Sequence, residues 1–234
     1  CSSDLGLQFA NTMYEGMLYW ALAMSNGTNS TNDTNEFSYW ARLVVAPFLS
    51  NDNWSKNFHF GLSFGTAYNG EGETAAFKTA GEGPYSEVGS SNKEGYDQFY
   101  PSLITCGREF LWGLEVIWFF QQWAVKAEWM YVTQDLKQYD DYMSTYSTID
   151  RDIGQGSTAT TMGGYVEVAY MVTGEDWVEA PESGWELVGQ FEWGQVDAGG
   201  DTSKADFMAY TLGANYYLSK NARFMFNWVA NDMG

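Results

Sequence analysis

Glu186 and Glu192 stand six residues apart in WELVGQFEW, with Gln190 between them. Two carboxylates flanking one bond are what glycoside cleavage uses, one as acid and the other as base or nucleophile. Lys126 with Glu128 and Arg223 with Asn227 are the other close polar pairs, the first spaced for a salt bridge. Asp140, Asp141, Asp150 and Asp152 fall in one acidic segment, and clustered carboxylates suit Ca²⁺. They lack EF-hand spacing, so solvated loop acids are the expectation. His59 is the sole histidine, and no nucleophile pairs with it. Cys1 and Cys106 are too few for a disulfide framework or a thiolate metal site. No catalytic residue, metal or cofactor is therefore expected, and the polar residues must serve as the lining of something.

What positions them is a set of strands. Alternation with period two predicts strands at about 5–11, 17–24, 37–46, 57–67, 108–118, 123–132, 161–172, 185–196, 206–218 and 222–230. Most are longer than the 5 to 6 residues of a typical soluble strand, and about 9 to 11 residues cross a bilayer at a tilt. Composition agrees: 11 Trp, 16 Tyr and 15 Phe against 4 Pro favour strands. No apolar run is long enough for a membrane-spanning helix. The fold class expected is all-β, an antiparallel transmembrane β-barrel.

Successive side chains of a strand point to opposite faces. One parity is apolar and aromatic, with Trp112, Trp118, Trp123, Trp129, Trp185, Trp193, Tyr210, Tyr216, Phe224 and Trp228. These are expected to face lipid, gathered toward strand ends like the aromatic girdles of a barrel. The other parity carries Arg42, His59, Glu115, Lys126, Glu128, Glu167, Glu186, Gln190, Glu192, Asn215, Arg223 and Asn227, expected to line a pore. Alternation also suits a soluble β-sandwich, and a secreted, aromatic-rich sandwich that stacks on carbohydrate is the competing expectation.

The connections favour the barrel. Long polar segments follow the second, fourth, sixth and eighth strands, the longest from Tyr68 to Gly107, which either constricts the pore or covers its mouth. Short links such as FQQ and SKN follow the odd-numbered strands. Long outer loops and short periplasmic turns are the plan of an outer-membrane barrel. The first strand runs toward a short turn and the last away from one, so the chain is expected to be an internal fragment of a larger barrel. The opening CSSDL is what a sequencing-adapter end translates to, so residues 1–5 are expected to be a scar before a single barrel domain over 6–234.

The phrases EGMLYWALAMSNGT, YWARLVVAPF, FLWGLEVIWFFQQWAVKAEWMY, GGYVEVAYMVTGED, WELVGQFEW and YTLGANYYLSKNARFMFNWV occur in an order that resembles the phosphate-selective porin family, the O and P porins of Gram-negative outer membranes. The resemblance spans nearly the whole chain. It implies a sixteen-stranded, commonly trimeric barrel, here strands six to fifteen, that passes small ions or anionic solutes by diffusion. It implies residence in the bacterial outer membrane, contact with outer-membrane lipid and no enzymatic activity. A net charge of −19 independently excludes nucleic acid as a partner.

The resemblance also implies a lumen rich in Arg and Lys, and here the sequence departs from it. Of 11 basic residues only Arg42, Arg108, Lys126 and Arg223 fall in or at the ends of strands on the polar parity. Glu109, Glu115, Glu128, Glu167, Glu186 and Glu192 share that parity. Carboxylate rings attract cations, whereas anion pores use Arg or Lys. The pore is expected to be cation-preferring or near neutral.

Overall fold

Each alternating segment is a strand in the computed structural model, which describes residues 6–26, 37–50, 55–75, 103–136, 158–173, 183–197 and 205–233. In chain order these are β1 (Gly6–Met13), β2 (Leu18–Asn26), β3 (Phe37–Val45), β4 (Phe58–Ala75) and β5 (Leu103–Phe120). Then come β6 (Trp123–Leu136), β7 (Thr158–Met171), β8 (Gly184–Asp197), β9 (Ala205–Ser219) and β10 (Ala222–Met233). A single 3-10 turn, Tyr14–Gly16, joins β1 to β2. All ten strands form one antiparallel sheet in sequence order, with β1 and β10 at its edges. The expected scar at residues 1–5 and the Asp140, Asp141, Asp150 and Asp152 segment lie outside the described residues.

Strand length differs from expectation. The Tyr68 to Gly107 span begins and ends as strand, not loop. β4 and β5 are each 18 residues and pair as far out as Ala75 with Leu103, across a register shift between Asn69 and Glu73. Backbone ladders do not need a greasy face; only the part of a strand inside an apolar medium does. The apolar pattern therefore stops where the hydrogen bonding continues. Trp112 and Trp129, expected near strand ends, stand well inside β5 and β6 for the same reason.

Gly107 lies within this outer extension at φ 117°, a left-handed value that glycine takes without strain. Beside it the β5 to β6 register shifts between Thr105 and Glu109, and the Arg108 N–H donates to Asp135 Oδ2 at 3.0 Å. Arg108 pairs with Tyr68, in step with Thr66 and Phe64. It therefore shares the aromatic face, which corrects the expectation that it lies on the polar one.

Burial is inverted relative to a soluble protein. Three consecutive residues of β8 show it: Trp185 is 44% exposed, Glu186 5% and Leu187 51%. Every buried strand residue among those described, from Ser38 and Ala124 to Glu192, Asn215 and Tyr217, lies on the face that carries the charges. A single sheet buries one face only by curling around it, so the polar face is the concave one. A sandwich would need a second sheet over the apolar face; the described strands form one sheet and leave that face open.

Candidate functional site

The polar face is ordered by register. Glu115, Glu128, Tyr165 and Glu192 are successive partners on β5, β6, β7 and β8, a belt running directly across four strands. Two residues further along each strand, toward the short turns, Ile117, Lys126, Glu167, Gln190 and Thr211 form a second belt. His59 joins that belt through Ile117. A third group at the short-turn end joins Glu186, Asn215, Tyr217 and Arg223. Asn227 pairs with Gly213 between the last two groups. All twelve polar residues singled out in the sequence thus fall on one face, and the ten aromatic residues fall on the other.

Contacts within the face engage all three of its cations, two of them with carboxylates. Arg42 on β3 gives Nη2 to both oxygens of Glu115, at 2.5 and 2.6 Å, reaching over β4 to β5. Lys126 Nζ lies 3.1 Å from Glu167 Oε1. Buried Glu186 accepts from Asn215 Nδ2 at 2.8 Å and from the Tyr217 hydroxyl at 2.9 Å. The guanidinium of Arg223 lies 3.5 Å from that hydroxyl and 6.0 Å from the Tyr217 ring centre. Buried Glu192 accepts from Gln190 Nε2 at 2.6 Å. Among the described side chains, six carboxylates on this face stand against three cations, a formal −3.

The Arg42 to Glu115 span depends on a missing side chain. Gly61 is the register partner of Glu115, and a Cβ there would collide with the Glu115 carboxylate. The bare backbone lets the carboxylate lie across β4. Because the pair is 49% and 22% exposed, its own worth is at the low end of the ~0 to 1 kcal/mol range. Gly61→Val should still cost about 1 to 3 kcal/mol through overpacking, and nearly nothing in a Glu115→Ala background. Equal costs in both backgrounds, read from denaturant midpoints, would show that Gly61 does not make room for Glu115.

Glu186 and Glu192 do not form an acid and base pair. Six residues along one strand separate them by about 20 Å, while carboxylates that flank a glycosidic bond are about 5 to 9.5 Å apart. Each has its own hydrogen-bond partners. Tyr165 and Tyr217 were not among the polar residues singled out, although Tyr165 keeps the parity of Glu167 and Tyr217 that of Asn215. Their ring character hid them, since aromatic residues elsewhere mark the other face.

The apolar face is banded. Toward the outer side, Phe64 packs on Trp112 with centroids 4.7 Å apart and Phe191 on Tyr210 at 5.1 Å. Toward the short turns, Trp123 packs on Tyr170 at 4.6 Å and Trp185 on Tyr216 at 4.8 Å. Between these bands lie Leu62, Leu114, Val116, Val125, Val166, Val168, Leu187 and Leu212. On β5 the apolar parity runs from Phe110 to Phe120. Those ten steps span roughly 33 Å, or about 25 Å vertically at a 35 to 45° tilt, the height of a barrel's lipid-facing band.

Inverted burial, one antiparallel sheet, two aromatic bands and a charged concave face describe the wall of an outer-membrane channel. No curated protein matches the chain. The family described as phosphate-selective porin O and P matches residues 4–233. That is a family of channel-forming outer-membrane proteins and not of enzymes, and its match spans the same ten strands that build the sheet. The chain belongs to the phosphate-selective porin O and P family.

Proposed function

We propose that the protein forms a passive, water-filled diffusion channel in a bacterial outer membrane, for small ions and solutes, with a cation-preferring or near-neutral lumen. Arg42, His59, Glu115, Lys126, Glu128, Glu167, Glu186, Gln190, Glu192, Asn215, Arg223 and Asn227 line the pore in this reading. Trp112, Trp118, Trp123, Trp129, Trp185, Trp193, Tyr210, Tyr216, Phe224 and Trp228 face lipid. The sheet closes into a barrel of the sixteen-stranded, trimeric kind that the resemblance implies, with residues 6–234 in one barrel domain.

The observation that carries the reading is Glu186 at 5% exposure between Trp185 and Leu187 at 44% and 51%. Water outside would reverse that order; lipid outside and water inside produce it. The polarity of the pore follows from its charge count. Phosphate selectivity, the property that gives the family its description, needs cations available to the solute. Here Arg42 and Lys126 already face carboxylates, and Arg223 leans on Tyr217, which donates to Glu186. A negative wall of this kind concentrates cations.

The test is a planar bilayer with a KCl gradient across it. Conductance with a reversal potential of cation-preferring or near-neutral sign is the expected result, together with recovery of the protein in the outer-membrane fraction. A strong anion preference would overturn the selectivity, and recovery from the soluble fraction would overturn the channel.

A further inference from the structure

At the β1 to β4 end of the polar face lies a cavity of about 270 Å³, which takes in Gln8, Tyr19, Ala21, Trp40, Arg42 and Ser63. It sits just below the ~300 Å³ at which drug-sized sites begin, so it suits one small ring. Two of its walls have a defined chemistry.

Trp40 is the aromatic wall. It is the register partner of Gly65, and its six-membered ring covers that glycine so closely that a Cβ there would overlap it. The indole is thereby held down on the sheet, yet it remains 39% exposed. Alanines along β2 leave the space beside it empty: Ala21 pairs with Arg42 and Ala23 with Trp40. An immobilised, open ring next to a gap is a surface for stacking.

Arg42 is the polar wall. Glu115 engages only its Nη2, so Nε–H and both Nη1–H groups have no acceptor among the described residues. Its charge, though, is offset by the Glu115 carboxylate. The cavity therefore offers several N–H donors without a net positive field. An anion gains little there, because the glutamate belt stands beside it; a cation meets a guanidinium. A purely apolar solute would leave the donors unpaired, at a cost. What satisfies both walls is a neutral molecule with an apolar ring face and a rim of hydroxyls.

We propose that this cavity binds one pyranose ring of a neutral sugar, stacked on Trp40 and accepting hydrogen bonds from Arg42. The site rests on the channel reading, since it gives solutes passing along the polar face a place to pause.

Maltotriose, added to one side of the full-chain channel in a planar bilayer, tests it. Wild type should show concentration-dependent block of the open current. Trp40→Ala should need about five to ten times more sugar for the same fractional block, the factor that one aromatic contact is worth. Trp40→Leu keeps Gly65 covered but removes the stacking ring, and should show the same loss even if the alanine variant folds poorly. Trp193→Phe, on the opposite face, should block like wild type. A channel that conducts but ignores maltotriose overturns the site, as does block unchanged in both Trp40 variants. Block by sodium phosphate in place of the sugar would also overturn it, reassigning Arg42 to anions. Absence of conductance would overturn the channel reading instead; quenching of tryptophan fluorescence by maltotriose in detergent, present in wild type and weakened in Trp40→Leu, would then decide the site separately.

Discussion

Leu212→Arg should destabilise the folded protein in lipid by about 2 to 4 kcal/mol, the cost of an arginine on the lipid face near the midplane of a bilayer. Leu212 is at the middle of β9 and 61% exposed. In a water-soluble protein an exposed leucine of this kind can be replaced within about 0.5 kcal/mol. The two media thus predict effects that differ severalfold for one substitution. The neighbouring Thr211 points to the opposite face, where it pairs with Gln190, and Thr211→Arg should cost far less because the new guanidinium meets water and carboxylates. The measurement is the denaturant midpoint after refolding into lipid vesicles. Equal, small effects at 211 and 212 would remove lipid from the apolar face.

Glu115→Gln should move the channel's permeability ratio toward anions by about fivefold. One unit charge at about 4 Å acts on an ion with ~1 kcal/mol even at the dielectric of bulk water, and that energy sets the factor. The same substitution releases Arg42, whose guanidinium then faces the solute with its charge uncompensated. Glu128→Gln provides the comparison. Glu128 is the register partner of Glu115, and among the described residues it holds no ion pair, so its loss removes a charge without exposing a cation. It should shift the ratio in the same direction and by less. Identical shifts would show that Arg42 is not held in check by Glu115, and would leave only the net charge of the wall to set selectivity.

Both predictions use the two faces of one sheet, and those faces were legible in the sequence. Glu186 and Gln190 alternate with Leu187 and Phe191 in WELVGQFEW, and pleating sends odd and even residues to opposite sides wherever the strand pairs. Composition and loop lengths added that the apolar side is too long and too aromatic for an ordinary soluble strand. What misled was extent. Residues 68–75 and 103–107 carry no alternation, yet they continue β4 and β5, because backbone hydrogen bonds propagate without regard to side chains. Arg108 is a different case: two residues before Phe110 and four before Trp112, it has the spacing of the aromatic face in the sequence itself, and its charge rather than its position suggested the polar one.

The strand count, the two parities, the family and the excess of carboxylates over cations can all be read from residue types at fixed local spacing. Which charges meet depends instead on how the strands pair. Arg42 and Glu115 are 73 residues apart in the chain and touch across an intervening strand at a glycine. Glu186 is shared by Asn215 and Tyr217 from β9, and Trp40 and Arg42 close a cavity with residues of β1, β2 and β4. Pairing register sets all three, and register is a relation between strands that no single strand's sequence contains.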